Sequence, residues 1–416
     1  MTAILVPKKI LIIGFVWPEP SSTAAGSRML QLLLFFKSNN YQITFASTAQ
    51  ESDFSMQLET LGVQKKSIRL NDSGFNQFIQ ELKPDIVLFD RFLTEEQFGW
   101  RVAKNSPNAL RILDTEDLHS LRSVRMEAEK NKKTASITDW KQADITKREI
   151  GSIYRCDLSL IISSYEMELL LNEIKIDKKI LVFLPFMLDP IRETNKMNWR
   201  SFEDRKNFIS IGNGKHAPNI DAIHWLKKEI WPLIRAQLQT VNLHIYGGYL
   251  PESILRLHQP KEGFFVMGRA ESATEVLGVA RVSLAPLRFG AGIKGKLVDA
   301  MLSGTPNVTT EIGAEGMHAN LQWSGMISND AAIIAKNAVV LYTKKEIWTK
   351  CQDQGVAIIN KLYDKTILEG FLLQRINETI NNLKDHRISN FTGAMLMHHT
   401  MASTKYMAKW IEAKNQ

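Results

Sequence analysis

The sequence predicts an α/β protein in which two doubly wound parallel sheets face each other across a cleft. Three observations lead to this prediction. The chain has 416 residues, too many for one hydrophobic core of ordinary size. Short apolar segments without strict polar alternation are each followed by an amphipathic stretch, which is typical of parallel strands covered on both faces. This alternation runs twice, and a polar segment separates the two runs.

The first run predicts an N-terminal domain over residues 1–188. Its strand candidates are 8–14, 42–47, 65–70, 85–90, 109–114, 157–163 and 179–184. Helical patterns lie between most of them, at 26–37, 74–82 and 94–104 among others. Residues 118–154 are rich in Lys, Arg and Glu and predict one or two solvated helices. The segment at 8–14 also resembles a short secretory signal, but its length favours a first strand followed by a loop.

A polar linker is predicted at 189–206, and the second run predicts a C-terminal domain over 207–384. Its strand candidates are 207–212, 241–247, 263–268, 281–287, 305–310 and 324–329. Asn219 is predicted to cap a helix over 220–238, which Pro232 should kink. Residues 391–414 form a final amphipathic stretch.

Charge and cysteine content narrow the possible partners and the compartment. The formal net charge of +8 favours anionic partners, and it does not choose among nucleotide phosphates, phospholipid headgroups and nucleic acid. The two cysteines, Cys156 and Cys351, provide neither a disulfide framework nor metal-binding spacing, so we expect structural thiols in a reducing cytosol. No run of eighteen apolar residues is present, which predicts no transmembrane helix and a cytoplasmic protein.

The segment 286–301 follows a predicted strand and opens a predicted helix. Its glycines would let the backbone approach a ligand, and its lysines and free helix amides would attract an anion. Asp299, one turn into the helix, is suited to accept hydrogen bonds from ribose hydroxyls. The alternative is a tight glycine loop with a solvated pair of lysines. The residues assigned to this phosphate site are Arg288, Gly290, Gly292, Lys294 and Lys296.

The segment 305–317 runs from a strand into a loop flanked by glycines. Backbone amides of this loop and the Glu315 carboxylate are suited to contact a sugar ring. The alternative is that Glu315 only caps the following turn.

The first strand leads into a loop and a helix that contains Gly26, Ser27 and Arg28. Amides of this loop could hold a phosphate or an acceptor, and Arg28 could pair with an anion. Ordinary helix capping by Ser27 is the alternative.

Three acids and a histidine follow the strand at 109–114. Asp114, Glu116, Asp117 and His119 fall within six residues at the carboxyl end of this strand. They are candidate metal ligands or an acid–base group, and a structural histidine is the alternative. We assign Asp114 and Glu116, with Arg28, to acceptor binding.

At these segments the sequence resembles the retaining glycosyltransferases of family 4, also called glycosyltransferase group 1. The resemblance is carried by FISIGNGKHAPNIDAIHWLKKEIWP (208–232), RFGAGIKGKLVDAM (288–301) and SGTPNVTTEIGAEGM (303–317). It implies the GT-B fold of two Rossmann-like domains, with the acceptor bound mainly by the first and the nucleotide sugar by the second. It also implies a C-terminal helix at 385–416 that crosses back to the first domain.

The resemblance assigns roles to several residues. Asp299 matches the ribose-binding second acid of the family's paired-glutamate motif, whose first glutamate has no counterpart here. Lys294 and Lys296 match positions near the diphosphate, and Lys215 is the candidate for a basic residue after the first donor-domain strand. Gly26 and Ser27 match the first-domain glycine loop. His119 lies near the position of a catalytic histidine beside the donor sugar.

The function that the resemblance implies is transfer of a hexosyl group from a nucleotide diphosphate sugar to a hydroxyl acceptor with retention of configuration. It implies no metal and no cofactor other than the sugar donor as co-substrate. The acceptor would be a carbohydrate or a lipid-linked sugar in cell-surface polysaccharide or glycolipid synthesis. A GT-B sugar-nucleotide epimerase and a non-catalytic binding protein are the alternatives, and nucleic acid is not an expected partner.

A cluster of basic residues in the first domain suggests peripheral contact with the inner membrane surface. Acidic residues are interspersed, so an ordinary solvated face is the alternative. The basic residues are Arg122, Arg125, Lys130, Lys132, Lys133, Lys141, Lys147 and Arg148.

Overall fold

The computed structural model describes residues 7–415, apart from the side chains of 399–401. The first domain contains a seven-stranded parallel sheet in the order β3-β2-β1-β4-β5-β6-β7. Its strands are β1 (Lys9–Gly14), β2 (Gln42–Ser47), β3 (Gln64–Ser67), β4 (Ile86–Asp90), β5 (Leu110–Asp114), β6 (Leu158–Ile161) and β7 (Leu181–Phe183). Every strand predicted for this domain is confirmed.

The second domain contains a six-stranded parallel sheet in the order β10-β9-β8-β11-β12-β13. Its strands are β8 (Lys206–Ile211), β9 (Leu243–Tyr246), β10 (Phe264–Gly268), β11 (Ala280–Ala285), β12 (Asn307–Thr309) and β13 (Gly325–Ile327). The predicted fold class, two doubly wound parallel-sheet domains, is confirmed.

Helices cover both sheets. In the first domain they are α1 (Ala24–Ser38), α2 (Gly74–Leu82), α3 (Arg91–Asn105), α4 (His119–Lys130), α5 (Ile137–Gln142), α6 (Asp144–Arg155) and α7 (Ser164–Glu168), followed by α8 (Glu193–Met197) in the connecting segment. In the second domain they are α9 (Ala217–Trp225), α10 (Trp231–Gln237), α11 (Glu252–Leu255), α12 (Ala273–Val279), α13 (Gly295–Leu302), α14 (Glu311–Ala314), α15 (Ala331–Thr343) and α16 (Lys345–Leu362). The last three are α17 (Lys365–Asn381), α18 (Leu383–Ser389) and α19 (Phe391–Lys414).

Strand β1 lies at the centre of the first sheet, between β2 and β4. Ile10 and Ile12 pack into the core on one face, whereas Leu11 and Ile13 pack into the core on the other. All four are at most 1% exposed, which explains why the apolar run does not alternate with polar residues. The strand interpretation of residues 8–14 is therefore confirmed.

Two predictions about helices need correction. Residues 118–154 form three helices, because the Ser136–Asp139 capping box begins α5 and the extended backbone at Ala143 separates α5 from α6. Asn219 is not an N-cap, because α9 begins two residues earlier with Pro218 in its first turn. The helix changes to a π-helical turn at Leu226–Ile230 directly before α10, and Pro232 lies in the first turn of α10, where the sequence predicts a kink.

The chain returns to the first domain earlier than the predicted boundary at 384. Leu188 pairs with the crossing segment through two backbone hydrogen bonds, with Tyr363 at 2.8 Å and Lys365 at 2.9 Å. Leu372 and Ile376 of α17 are then buried in the core of the first domain. Residues 365–384 therefore belong to the first domain, because their apolar face packs there. Helix α19 lies against α3 and α6.

The prediction of two structural thiols is confirmed, since Cys156 and Cys351 are both buried and free. Within residues 7–415, no helix is long and apolar enough to cross a membrane.

Candidate functional site

The carboxyl ends of the two sheets face each other, and loops from both domains are in contact there. Tyr249, after β9, donates its hydroxyl to Glu19, after β1, at 3.1 Å. Asn213, after β8, donates to Ser22 of the same first-domain loop at 3.3 Å. Ligands of doubly wound sheets bind at such strand ends, so this interface is the candidate site.

The glycine loop before α13 makes close contact with the first domain. Gly292 has a φ of +64°, and a Cβ there would lie 2.7 Å from the Cβ of Asp117. A Cβ on Gly295 would lie 2.6 Å from that of Ala24. The Gly292 amide donates to Glu166 of the first domain at 2.8 Å, so this amide is not free as the anion-site prediction required. Glycine is needed here because the two domains approach each other so closely.

Two lysines lie at the start of α13, of which Lys294 is buried and Lys296 is half-buried. Lys294 is 7% exposed and donates to the carbonyl of Gly292 at 2.9 Å, and burial lowers the pKa of its ammonium to about 8. Lys296 donates to Oδ1 of Asn219 at 2.5 Å, and burial lowers its pKa to about 7. Neither lysine is fully solvated, because each donates a hydrogen bond within the protein. An anion that binds beside these two lysines would favour their protonated, charged forms.

Asp299 lies one turn further along α13. Its carboxylate forms no hydrogen bond or ion pair with any other residue in the described range, and it is only partly exposed. Burial raises its pKa to about 6, so the group is mostly ionised at neutral pH. An ionised carboxylate without a protein partner is available to accept hydrogen bonds from ligand hydroxyls.

Arg288 and Glu315, both predicted to bind the donor, are engaged in ion pairs. Arg288 pairs with Asp221 of α9 and, across the domain interface, with Glu129 of α4 at 2.9 Å. Glu315 accepts two hydrogen bonds from Arg125 of α4, at 2.7 and 2.8 Å. Both side chains therefore form ion pairs across the domain interface and do not point into an open cleft. The capping alternative for Glu315 is also wrong, because its carboxylate faces Arg125.

Arg125 makes a third contact across this interface. It donates to the carbonyl of Gly290 at 2.8 Å, and its guanidinium lies 5.4 Å from the centre of the Tyr165 ring. Gly290 is thus tied to the first domain through its carbonyl oxygen.

Lys215 lies at the other side of the interface. Its side chain is exposed, with Nζ 3.6 Å from the centre of the Tyr249 ring. This cation–π contact leaves the ammonium accessible at the edge of the cleft.

The first-domain residues Gly26 and Ser27 support their own loop. A Cβ on Gly26 would overlap the backbone of Glu19, and Ser27 donates to the carbonyl of Pro20 at 3.0 Å. The N-cap of α1 is Thr23, which accepts from the Gly26 amide at 2.9 Å, and not Ser27. Donor contacts predicted for these two residues are therefore not supported, because both are occupied by loop contacts.

Arg28 and Asp114 form a buried ion pair and are not available to an acceptor. They are 1% and 0% exposed, and Nε of Arg28 lies 2.9 Å from Asp114 Oδ1. Arg28 also donates to the carbonyl of Leu184 at 2.7 Å, which ties α1 to the ends of β5 and β7. The acceptor-binding prediction for this pair is wrong, because complete burial leaves no surface for a ligand.

Glu116 is half-buried and has a left-handed backbone conformation. Its φ is +62°, and Arg91 at the end of the neighbouring strand β4 has a φ of +70°. The Oε1 atom of Glu116 is buried without a hydrogen-bond partner among the described residues. Burial, with the charges of Asp114 and Asp90, raises the pKa of Glu116 well above its ordinary value. Glu116 is half-buried, and its contact with an acceptor stays a prediction.

His119 is the first residue of α4, and Glu149 caps this helix. Glu149 accepts from the amides of His119 and Ser120 at 2.9 and 3.0 Å. The His119 ring lies with Nε2 3.2 Å from Asp117 Oδ1 and contacts Phe92 edge-on, with centroids 5.9 Å apart. Burial lowers the pKa of His119 to about 4, although the negative charge of Asp117 acts to raise it. The imidazole is therefore neutral at pH 7.

A second histidine, His216 of the second domain, extends this cluster. Desolvation within the cleft, together with the charge of Arg122, lowers the pKa of its imidazole. Asp117 pairs with Arg122 and acts on both imidazoles, so the two histidines flank this ion pair. Sequence reasoning missed His216, although it follows a predicted strand in the segment 208–232.

Glu166 is the other residue that sequence reasoning missed. The same oxygen, Oε1, accepts from the amide of Leu118 at 2.9 Å and from that of Gly292 at 2.8 Å. Burial, with the charge of Asp117, raises the pKa of this carboxyl to about 8. No sequence signal marks it, because its partners are distant along the chain.

The metal-ligand alternative for residues 114–119 finds no support in the geometry. Asp114 pairs with Arg28 and Asp117 with Arg122. Among the side chains that the structure describes, no group of three or more His, Cys, Asp or Glu residues is arranged to hold a metal ion.

Much of the basic region of the first domain is neutralised by neighbouring acids. This favours the alternative of an ion-paired face over a membrane-binding one. The pairs are Arg122–Asp117, Arg125–Glu315, Lys141–Glu173, Lys147–Asp144 and Arg148–Glu96.

Comparison with known proteins supports the interpretation of the second domain. Residues 205–344 match the family model "Glycosyl transferases group 1". An "Uncharacterized 44.6 kDa protein in cps region" of Klebsiella pneumoniae is 24% identical over 268 residues, which cover 62% of this chain and 66% of the relative. The match thus falls just short of two thirds of the relative's length.

Solved structures share the fold at low sequence identity. A sucrose-phosphate synthase from Thermosynechococcus elongatus gives a TM-score of 0.66 at 14% identity, covering 90% of this chain and 100% of the other. TarM gives 0.68 at 10% identity, covering 90% and 99%. Anabaena HepE in complex with UDP and glucose gives 0.63 at 12% identity, covering 90% and 99%. The fold is therefore GT-B, and the family match supports glycosyltransferase group 1.

Proposed function

We propose that this protein is a retaining glycosyltransferase that moves a hexosyl group from a nucleotide diphosphate sugar to a hydroxyl of a carbohydrate or lipid-linked acceptor. The observation that carries the proposal is the unpartnered Asp299 carboxylate one turn beyond the buried Lys294 and the half-buried Lys296. A carboxylate suits the ribose hydroxyls, and two cations suit the diphosphate. The match of residues 205–344 to group 1 glycosyltransferases supports this assignment.

In the proposed reaction, the bond between the anomeric carbon and the diphosphate oxygen breaks. The acceptor hydroxyl oxygen bonds to the same carbon from the same face, and its proton passes to the departing diphosphate. The atoms balance without a further reactant. Lys294, Lys296 and the amides at the start of α13 would stabilise the negative charge that develops on the diphosphate.

His119 is the proposed catalytic residue. A neutral imidazole can hydrogen-bond a sugar hydroxyl, and the pKa of about 4 keeps His119 neutral at pH 7. Asp117, 3.2 Å from Nε2, would orient the ring. The contact would act on the transition state if it strengthens as the glycosidic bond breaks.

Contacts between the domains would protect the donor from water. Gly292 packs against Asp117, and Arg125 bridges to Glu315, so the donor loop is held against the first domain. Excluding water from the closed cleft would limit donor hydrolysis.

The proposed biological setting is cell-surface polysaccharide or glycolipid synthesis. The Klebsiella pneumoniae relative, described as a protein in the cps region, supports a polysaccharide acceptor. UDP bound to HepE makes a uridine donor the first candidate to test.

The proposal is tested by a thermal-shift screen of nucleoside diphosphates and their sugars, because a ligand of the folded state raises Tm. The stabilising donor is then incubated with candidate acceptors, and the anomeric configuration of the product is determined by NMR. We expect nucleoside diphosphate release that requires an acceptor and a product of retained configuration. Free epimer formed without an acceptor would indicate the epimerase instead. The absence of stabilisation by any nucleotide would overturn the assignment of the donor site.

A further inference from the structure

Helix α19 has an inner face that packs on the first domain. Gly393 and Ala408 are buried there, and Glu412 pairs with Arg101 of α3. At its start, Gly393 lies against the carbonyl of Tyr154 at the end of α6. The inner face therefore accounts for the attachment of α19 and leaves its other side uncovered.

The outer face carries large apolar side chains that are open to solvent. Phe391 is 75% exposed, Met395 48%, Tyr406 65% and Trp410 60%. At about 100° of rotation per residue, these four side chains fall within an arc of roughly 100° on one side of the helix. Met407, 61% exposed, lies beside them. Single exposed apolar residues are ordinary, but a row along one helix indicates an interaction surface.

The lysines of this helix are the exposed Lys409 and Lys414 and the half-buried Lys405. Lys405, Lys409 and Lys414 lie among the aromatic residues, and the only acid in residues 391–414 is Glu412 on the inner face. The Nζ atom of Lys405 lies 5.6 Å from the centre of the Tyr406 ring. That of Lys414 lies 5.2 Å from the centre of the Trp410 ring.

We propose that the outer face of α19 binds an anionic lipid surface, with the helix lying parallel to the membrane plane. Trp and Tyr prefer the headgroup region, where the ring is apolar and its polar atom stays hydrated. Lysines beside them would contact phosphate groups, as in amphipathic helices that lie in the interface. A second copy of this chain is a poorer occupant, because a two-fold contact through this face would place lysines against lysines.

This surface differs from the basic region at 122–148, where neighbouring acids neutralise many of the cations. It is also independent of the proposed sugar transfer, since α19 contributes none of the residues assigned to the cleft. A protein without transferase activity would still bind lipid through α19.

The test is co-sedimentation of the full chain with vesicles of phosphatidylcholine, with and without phosphatidylglycerol, at low and high salt. We expect binding to the anionic vesicles that weakens with salt. Exchanging Lys405, Lys409 and Lys414 for Ala should weaken it about a hundredfold, since each lysine near an anionic surface contributes a factor of about five. Exchanging Tyr406 and Trp410 for Ser should weaken it about tenfold, with Tm unchanged because both are exposed.

The matched control exchanges the exposed Lys130, Lys132 and Lys133 for Ala, which removes the same charge from the first-domain region. We expect this control to bind like the wild type. Equal binding by the α19 variants and the wild type would overturn the proposal, as would loss of binding in the control alone. A dimer in sedimentation velocity that Trp410→Ser dissociates would show that the face is a contact between copies instead.

Discussion

Both carboxylate oxygens of Glu315 in the second domain accept hydrogen bonds from the Arg125 guanidinium in the first, at 2.7 and 2.8 Å. The two side chains are 17% and 11% exposed, so solvent screens them only in part. The pair joins the loop after β12 to α4, the helix that begins with His119. The arrangement therefore couples the donor loop to the proposed catalytic residue.

The first prediction concerns this coupling. Arg125→Ala and Glu315→Ala should each lower stability, and the double variant should lose less than the sum, with a coupling energy of about 1–2 kcal/mol. The reason is that each single change leaves a partly buried charge without its partner. Urea unfolding of all four proteins measures the cycle. Strictly additive losses would contradict an energetic link between the domains.

The second prediction concerns the diphosphate. Lys294→Met with Lys296→Met should weaken donor binding by roughly 10- to 100-fold or more, since one charge-assisted contact is worth about 1.5–3 kcal/mol. Met keeps the apolar stem of each lysine side chain, and Lys336→Met on the exposed side of α15 is the control. Calorimetry that gives the same donor affinity for wild type and double variant would rule out this site.

Proton uptake provides a second measurement of the same site. The pKa values of Lys294 and Lys296, lowered by burial to about 8 and about 7, mean that both are partly neutral at pH 8. A bound diphosphate favours their charged forms, so donor binding should take up protons. Calorimetry in buffers of different ionisation enthalpy should detect this uptake in the wild type and not in the double Met variant.

The third prediction concerns ribose. Asp299→Asn should raise the donor KM with little change in the acceptor KM, because the variant loses a charged hydrogen-bond acceptor. In the wild type, donor affinity should fall as the pH drops through about 6, the raised pKa of Asp299, whereas the variant should lack this step. The control is Asp353→Asn, exposed on α16. If Asp299→Asn kept the wild-type donor kinetics, this carboxylate would not bind ribose and would be an ordinary helix residue.

The fourth prediction concerns catalysis. His119→Ala should lower kcat by about 10- to 100-fold, more than it raises KM, as expected for one hydrogen bond of about 1–3 kcal/mol made in the transition state. The cap of α4 uses the His119 backbone amide and Glu149, so it survives the substitution and Tm should change little. If turnover stayed normal in a destabilised variant, the role of His119 would be structural.

The fifth prediction concerns Glu166 and pH. Its pKa of about 8 in the folded protein lies above the ordinary carboxyl value, so the folded state binds the proton more tightly. The resulting stability is complete below the unfolded-state pKa and is lost as the pH rises toward 8. Glu166→Gln keeps an acceptor oxygen without titrating. The Tm of this variant relative to wild type should therefore rise by several degrees between pH 5 and 8. Glu168→Gln, exposed on the same helix, is the control and should show a constant difference.

Local sequence pattern determined the strands, the doubly wound fold and the glycine–lysine segment at the start of α13. Apolar runs such as residues 8–14 indicate a strand that is buried on both faces. A strand followed by glycines and a helix indicates a possible anion site. These properties depend on residues close together in the chain, so they are visible without the tertiary structure.

Only the tertiary structure decided which polar side chains are free. Arg28 meets Asp114 86 residues away, Gly292 meets Glu166 126 away, and Arg125 meets Glu315 190 away. A cation or carboxylate at a strand end can bind a ligand or pair with another side chain, and sequence spacing does not distinguish these two possibilities. The distinction depends on distance and burial, because a buried charge must be paired. The Asp299 carboxylate forms no hydrogen bond or ion pair within the described residues, since the fold brings no cation to it.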